Sequence, residues 1–174
     1  MALRLIRTEE DEILYKKSKP VKEVTERIKQ LLDDMEETME ANNGLGLAAV
    51  QVGVLRRAIV IRYEDQLYRL LNPEIVECEG EVCGYEGCLS VPGKHMSVAR
   101  PATVKVQAMD ENGQSITIEA SEQLARVFCH EIDHLDGILY VQKADYTQPV
   151  VYDSDLTEAK EAEEDAQTDE NEEK

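Results

Sequence analysis

The sequence predicts an α+β fold: mixed or antiparallel strands packed around a central helix that carries His130-Glu131-Ile132-Asp133-His134, with another helix near the N-terminus. Three observations predict it. An apolar stripe at helical spacing comes early, a block of short β-rich runs fills the middle, and helical character returns late, over residues 121–135. With 174 residues, 42% of them hydrophobic, and no internal repeat, the chain is large enough to bury a single core. The expected division is one domain over residues 1–150, followed by an acidic tail over 151–174 that is a solvated helix or disordered.

Val24, Ile28, Leu31, Leu32, Met35 and Met39 recur every three or four residues, so residues 22–41 read as an amphipathic helix. Its methionines are expected in the core. Pro20 precedes this helix, and Asn42-Asn43-Gly44 ends it with residues that tolerate positive φ. Strands are expected over 58–63, 67–71, 74–88, 103–109 and 115–119, with Asn112-Gly113 as a hairpin turn between the last two. Ser121 is a candidate N-cap for the late helix, Gly137 ends it, and Ile138-Leu139-Tyr140-Val141 is a candidate final strand.

The formal net charge is −18 and is unevenly spread. Residues 153–174 hold eleven acids and two lysines, while the other 152 residues hold 26 acids and 17 bases. Neither part has a basic stripe, which argues against a grip on nucleic acid through its phosphates. No apolar stretch is long enough to span a bilayer, and the N-terminus has no signal-peptide pattern, so a cytoplasmic location is expected. Four cysteines without a leader argue against a disulfide framework, and the C-x4-C-x4-C spacing of Cys78, Cys83 and Cys88 matches no zinc ribbon.

The chemistry is concentrated in three blocks. On a helix, His130 and His134 stand one turn apart on one face and both reach one metal ion, with Glu131 beside them as a base. Two of the chain's three histidines are here. A catalytic metal needs one more protein ligand and an open position. The metalloprotease pattern H-E-x-x-H-x-x-G-x-x-H is excluded because its last place is Tyr140. Glu158 or Glu161 would have to come from an acidic tail with little to fix it. Cys88, in Glu86-Gly87-Cys88-Leu89-Ser90, is the better candidate, and Gly87 lets backbone approach metal or substrate. The third block, Gly44-Leu45-Gly46-Leu47-Ala48-Ala49-Val50-Gln51, follows a helix, so it is no dinucleotide fingerprint. It reads as a small-residue strand that admits a substrate backbone and presents the Gln51 amide.

Together the three blocks resemble the peptide deformylases, whose pattern is G-x-G-x-A-A-x-Q, E-G-C-x-S and H-E-x-x-H in this order. The likeness covers roughly residues 1–145. It implies that the first domain is catalytic and removes the formyl group from formyl-methionyl nascent peptides, releasing formate. The implied cofactor is Fe²⁺, with Zn²⁺, Ni²⁺ or Co²⁺ able to substitute. Cys88, His130 and His134 would be the ligands. Glu131 would pass the proton of a metal-activated water to the leaving amine, and Gln51 and the Leu89 N–H would hold the oxyanion. Val127, on the His130 face of the helix, and Leu45 are candidates for the methionine pocket, and Gly46 for backbone pairing with substrate. Glu86 and Arg100 are a candidate ion pair behind the Cys88 loop. Cys129 is expected to be structural, and His95 to lie in a polar loop near the mouth. Some relatives have a basic C-terminal segment that contacts the ribosome; this chain ends acidic, which counts against that mode of docking.

Overall fold

The computed structural model describes residues 2–156. It is an α+β arrangement of two antiparallel sheets and two main helices, as the sequence predicts. Helix α1 spans Glu26–Ala41 and α2 spans Glu122–Leu135. The strands are β1 (Gly46–Ala48), β2 (Ala58–Tyr63), β3 (Gln66–Glu79), β4 (Val82–Cys88), β5 (Val91–Arg100), β6 (Thr103–Met109), β7 (Ser115–Ser121) and β8 (Val151–Tyr152). One sheet has the order β1-β2-β3-β6-β7, and the other β4-β5-β8.

The continuous apolar run of β2 is explained by burial on both faces. Alternate side chains point to opposite sides, so Ala58 and Val60 pack with Met35 and Met39 of α1. Ile59 and Ile61 pack with Phe128 and Leu135 of α2. The methionines of α1 are fully buried, as expected of core residues. Helix α2 therefore lies sheathed: from Ala125 to Ile132 every residue is buried.

Several local expectations change. Helix α1 begins at Glu26 rather than 22, because Thr25 caps it by accepting from the Ile28 N–H. Ser121 stands at the N-cap of α2 but its side chain makes no cap bond; the Glu122 N–H donates to the Ala102 carbonyl instead. The runs 67–71 and 74–88 are cut elsewhere. Strand β3 runs through Asn72-Pro73 with a shift of register, and the break falls at Gly80, whose φ of +70° sends the chain into the second sheet. Tyr140–Gln142 is a 3₁₀ turn and not a final strand, since Tyr140 turns inward and donates its hydroxyl to the Lys94 carbonyl at 2.8 Å. Strand β5 has no counterpart among the expected strands. Its Pro-Gly-Lys-His start is loop-like in composition, yet it pairs with β4 from Cys88–Val91 to Val82–Arg100. The Asn112-Gly113 turn forms as expected, with Asp110 accepting from the N–H groups of Asn112 and Gln114.

The end of α2 is held by a Schellman arrangement. The Ile138 N–H donates to the Asp133 carbonyl and the Gly137 N–H to that of His134. Gly137 has φ +76°, and a Cβ there would stand 2.5 Å from the Tyr15 carbonyl oxygen. Val151–Tyr152, at the start of the expected tail, pairs with β5, while residues 157–174 of that tail lie outside the described residues. No described helix is long and apolar enough to cross a membrane.

Replacing Gly137 by Ala is expected to cost at least about 1–2 kcal/mol from the left-handed backbone alone. The expected result is a melting temperature lower by several degrees, measured by circular dichroism; an unchanged value would show that this helix end does not limit stability.

Candidate metal centre and active-site cleft

Strand β4 ends at Cys88, and Leu89-Ser90 turns the chain back into β5. Helix α2 passes beneath that turn. One ligand atom each from Cys88, His130 and His134 lie within 4.8 Å of one another, and Cys88 Sγ is 3.3 Å from His134 Nε2. The imidazole centroids are 5.0 Å apart and the rings cross at 76°. A four-coordinate ion held at roughly 2.0–2.3 Å by nitrogen and sulfur donors requires such mutual approach.

His130 is oriented from behind. Its Nδ1 donates to Glu86 Oε2 at 2.9 Å, which fixes the ring with Nε2 toward Cys88. Glu86 also accepts from Arg100 Nε (2.8 Å) and Nη2 (2.9 Å), and from Arg126 Nη1 (2.9 Å). The anticipated pair of Glu86 with Arg100 is thus present and buried. Burial alone would raise the Glu86 pKa, but Arg100 and His130 more than offset it and hold the carboxyl at about 2. Burial works against charge on both histidines. At His130, Cys88 and Glu86 outweigh it and the pKa lies well above the ordinary value. At His134 the positive neighbours His130 and Arg100 act in the same sense as burial, and the pKa lies well below. Tyr140, in the place where another class of metalloprotease has its third histidine, stacks on His130 with centroids 5.8 Å apart.

Glu131 lies on the same helix and is buried, which pushes its carboxyl up to about 7. Its Oε2 is buried without a hydrogen-bond partner among the described residues. Gly46, on the edge strand β1, is pressed against it: a Cβ at Gly46 would stand 2.4 Å from Glu131 Oε1. Gln51 sits in the 3₁₀ turn Ala49–Val52, not in a strand. The Ala48 N–H donates to its Oε1 at 2.8 Å, so its amide nitrogen faces Ser90 Oγ (3.1 Å) and Cys88 Sγ (3.6 Å).

One cleft of about 570 Å³ is lined by Leu45, Gly46, Gln51, Gly87, Cys88, Leu89, Val127, His130 and Glu131, with His134 adjoining through Cys88. All the site residues expected from sequence therefore meet. A larger hollow of about 1010 Å³ lies beside the start of α1, but its lining offers one carboxylate, Glu23, and no cysteine or histidine. Three features were not anticipated. Ser90 is fully buried against Gln51, although it belongs to the quoted E-G-C-x-S block. Arg126, on α2, joins Glu86 to the carbonyls of Val82, Gly84 and Val98. His95 lies in β5 rather than in a loop, and bonds Asp153. Cys129 is buried, its thiol pushed up to about 11 by burial, and all four cysteines are free.

A helix-borne pair of imidazoles with an acid between them, joined in space by a thiol from a second sheet, defines a metal-dependent hydrolase. The sequence pattern of the polypeptide deformylase family matches residues 3–150, and the chain belongs to the peptide deformylase family, whose members remove the N-formyl group from nascent peptides. It is 59% identical over 143 residues to the peptide deformylase of Acetivibrio thermocellus, covering 82% of this chain and 84% of that one. The enzyme of Caldicellulosiruptor bescii is 57% identical, with 82% and 86% covered. Among solved structures, the Thermotoga maritima peptide deformylase superimposes with a TM-score of 0.82 at 35% identity, covering 83% of this chain and 99% of that one. For the Legionella pneumophila enzyme the TM-score is 0.81 at 40% identity, with 84% and 88% covered.

Two outcomes are expected from this geometry. Gly46→Ala should displace the Glu131 carboxylate and lower kcat/KM by about 10²-fold while metal content stays at the wild-type level; full activity would show that Glu131 has room to move. The depressed pKa of Glu86 gives a stabilising contribution that is present above its ordinary value of 4.5 and is lost as pH falls towards about 2. The stability gap between wild type and Glu86→Gln, measured by urea unfolding, should shrink as pH falls through that range. A constant gap would refute the assignment.

Proposed function

We propose that Cys88, His130 and His134 hold one metal ion, Fe²⁺ in the native enzyme with Zn²⁺, Ni²⁺ or Co²⁺ able to substitute, and that this centre hydrolyses the formyl group of formyl-methionyl nascent peptides. The observation that carries the assignment is the convergence of the three ligand atoms within 4.8 Å. One thiol and two imidazoles form a borderline-soft donor set suited to these metals. When bound, the ion supplies Lewis acidity that activates water and polarises the formyl carbonyl.

The remaining work falls to the chain. Glu131, with its carboxyl near 7, takes a proton from the attacking water as the oxygen joins the formyl carbon. It returns that proton to the amine nitrogen as the C–N bond breaks, so formate and a free N-terminus result. The Gln51 amide, directed by its bond to Ala48, and the Leu89 N–H donate to the developing oxyanion. Gly46 offers the backbone of an edge strand to the peptide, as in strand addition. Val127 and Leu45 form the apolar lining for the methionine side chain, and Gly87 leaves room for the peptide beside Cys88. The place of action is the cytoplasm, where nascent chains are made. The acidic run over residues 153–174 counts against docking to the ribosome through that segment, and no direct contact with nucleic acid is proposed.

The test is anaerobic purification with metal analysis, followed by formate release from a formyl-Met peptide. Glu131→Ala should keep its metal and lose about 10²–10⁴-fold in kcat. Cys88→Ala should lose the metal itself. Wild-type turnover by the first variant, or full occupancy in the second, rejects the assignment.

A further inference from the structure

The fold gathers cations that the sequence scatters. Of the 17 arginines and lysines among the described residues, five make no ion pair: Lys16, Lys19, Lys22, Arg27 and Arg56. Four of those five line the hollow of about 1010 Å³ beside the start of α1. Backbone pairing sets two of them side by side. The Lys19 N–H donates to the Leu55 carbonyl at 3.2 Å and the Arg57 N–H to the Lys19 carbonyl at 2.9 Å, which bridges Lys19 to Arg56. Arg27 stands in the first turn of α1, so the positive end of the helix dipole adds to the same field. Glu23 is the one acid in the lining, and Arg4, a further cation there, is engaged by Asp34. The floor is apolar, with Val21 and Leu31 buried. In a chain of net charge −18, this hollow is a local excess of positive charge.

The same sequence holds one dense run of the opposite sign. Residues 157–174 carry nine acids and two lysines, and they follow shortly after β8. A contiguous path leads from β8 to the hollow. Strand β8 pairs with Lys94, Lys94 pairs with Glu9, and the Arg7 guanidinium lies against Gly53, a lining residue. The 18 residues of the run cover at most about 60 Å when extended, whereas this path crosses only a few neighbouring side chains. A tethered segment also meets the hollow at an effective concentration on the order of millimolar, an advantage that a separate partner lacks. Nucleic acid would face the net negative charge of the chain and would find no aromatic ring in the lining to stack on.

We propose that the acidic run over residues 157–174 docks in cis on the hollow at the start of α1, held by Lys19, Lys22, Arg27 and Arg56. One exposed pair is worth roughly five-fold at most, so the contact depends on several pairs acting together. It weakens with salt, because the screening length shortens from about 10 Å at 0.1 M to about 3 Å at 1 M. The hollow and the catalytic cleft lie at opposite ends of α1, about 24 Å apart along a helix of 16 residues. Docking there is therefore independent of the chemistry assigned to the cleft, and formate release and circular dichroism serve as controls for folding.

The full chain is treated with a carbodiimide, which joins a lysine amine to a carboxylate in contact with it, and links from residues 157–174 are located by mass spectrometry. In dilute buffer Lys19 and Lys22 should take most of these links, ahead of Lys16 and Lys17, which are also exposed. Salt at about 1 M should remove most of them. In the double variant Arg27→Gln, Arg56→Gln, which keeps both lysines, the yield at Lys19 and Lys22 should fall by about four-fold or more. Links spread over the exposed lysines by accessibility, or a yield at Lys19 and Lys22 that resists salt, overturn the proposal. An unchanged yield in the folded variant does so too; if that variant does not fold, the salt series on wild type decides. A mixture of isotope-labelled and unlabelled chains tests the occupant. Links confined to one isotope support docking in cis, whereas mixed pairs place the run of a second copy on the hollow and overturn it.

Discussion

The buried carboxylate of Glu86 joins the pieces from which the centre is made. It accepts from Arg100 twice, from Arg126 once and from His130 once. Those donors come from β5 and α2, while Glu86 itself belongs to β4, two residues before Cys88. A carboxylate withdrawn from water costs several kcal/mol unless its lone pairs are met, and four charge-assisted or polarised bonds meet them here. Without this acid, Arg100 would keep only Asp133, and Arg126 would have no carboxylate partner among the described residues. Arg126 extends the junction by donating to the carbonyls of Val82, Gly84 and Val98. Gly84 makes this approach feasible, since a Cβ there would lie 3.0 Å from Arg126 Nη2. The second sheet is thereby seated on the helix in the one position that brings the thiol to the imidazoles.

What the sequence made legible follows from the range of the forces involved. Helical spacing in α1 and α2, the Asn112-Gly113 turn and the residues of the Cys88–His130–His134 cluster are encoded locally or in short motifs, and the structure has the helices, the turn and the cluster. Strand β5 was illegible because its Pro92-Gly93-Lys94-His95 start carries no alternation; its pairing is decided by β4 and β8. Tyr140 was misjudged for a related reason. A β-like tetrapeptide turns inward once a buried imidazole offers a stacking face and the Lys94 carbonyl accepts its hydroxyl. The network around Glu86 was only half visible. A Glu–Arg pair can be guessed from one motif and one nearby arginine, but the second arginine and the bond from His130 Nδ1 emerge only in three dimensions.

The N-terminal arm shows how much of the site depends on backbone that carries no chemistry. The Arg7 N–H donates to the Gln51 carbonyl at 2.7 Å, and the Glu9 N–H to that of Ser90 at 2.8 Å. One extended segment thus ties the turn that presents the Gln51 amide to the turn that follows Cys88. The bond from the Gln51 amide to Ser90 closes the same gap from inside. An amide fixed at both ends of its own side chain loses little entropy when it meets developing charge, which is the condition under which a preorganised donor is most effective.

Two buried glutamates near the same imidazole are driven in opposite directions, and this separates their uses. Glu86, surrounded by cationic donors, is held at about 2 and is an anion at neutral pH. Among the described residues, Glu131 has no guanidinium partner, one unpartnered oxygen and a glycine against the other, and burial carries it to about 7. An anion that keeps its charge at neutral pH can fix a ring but cannot ferry a proton. A carboxyl poised near neutrality can do both halves of a transfer with little loss at either. The difference arises entirely from neighbours, and those neighbours are set by Arg100 and Arg126 on one side and by Gly46 on the other. Exchanging the environments of these two acids would exchange their chemistry without altering Cys88, His130 or His134.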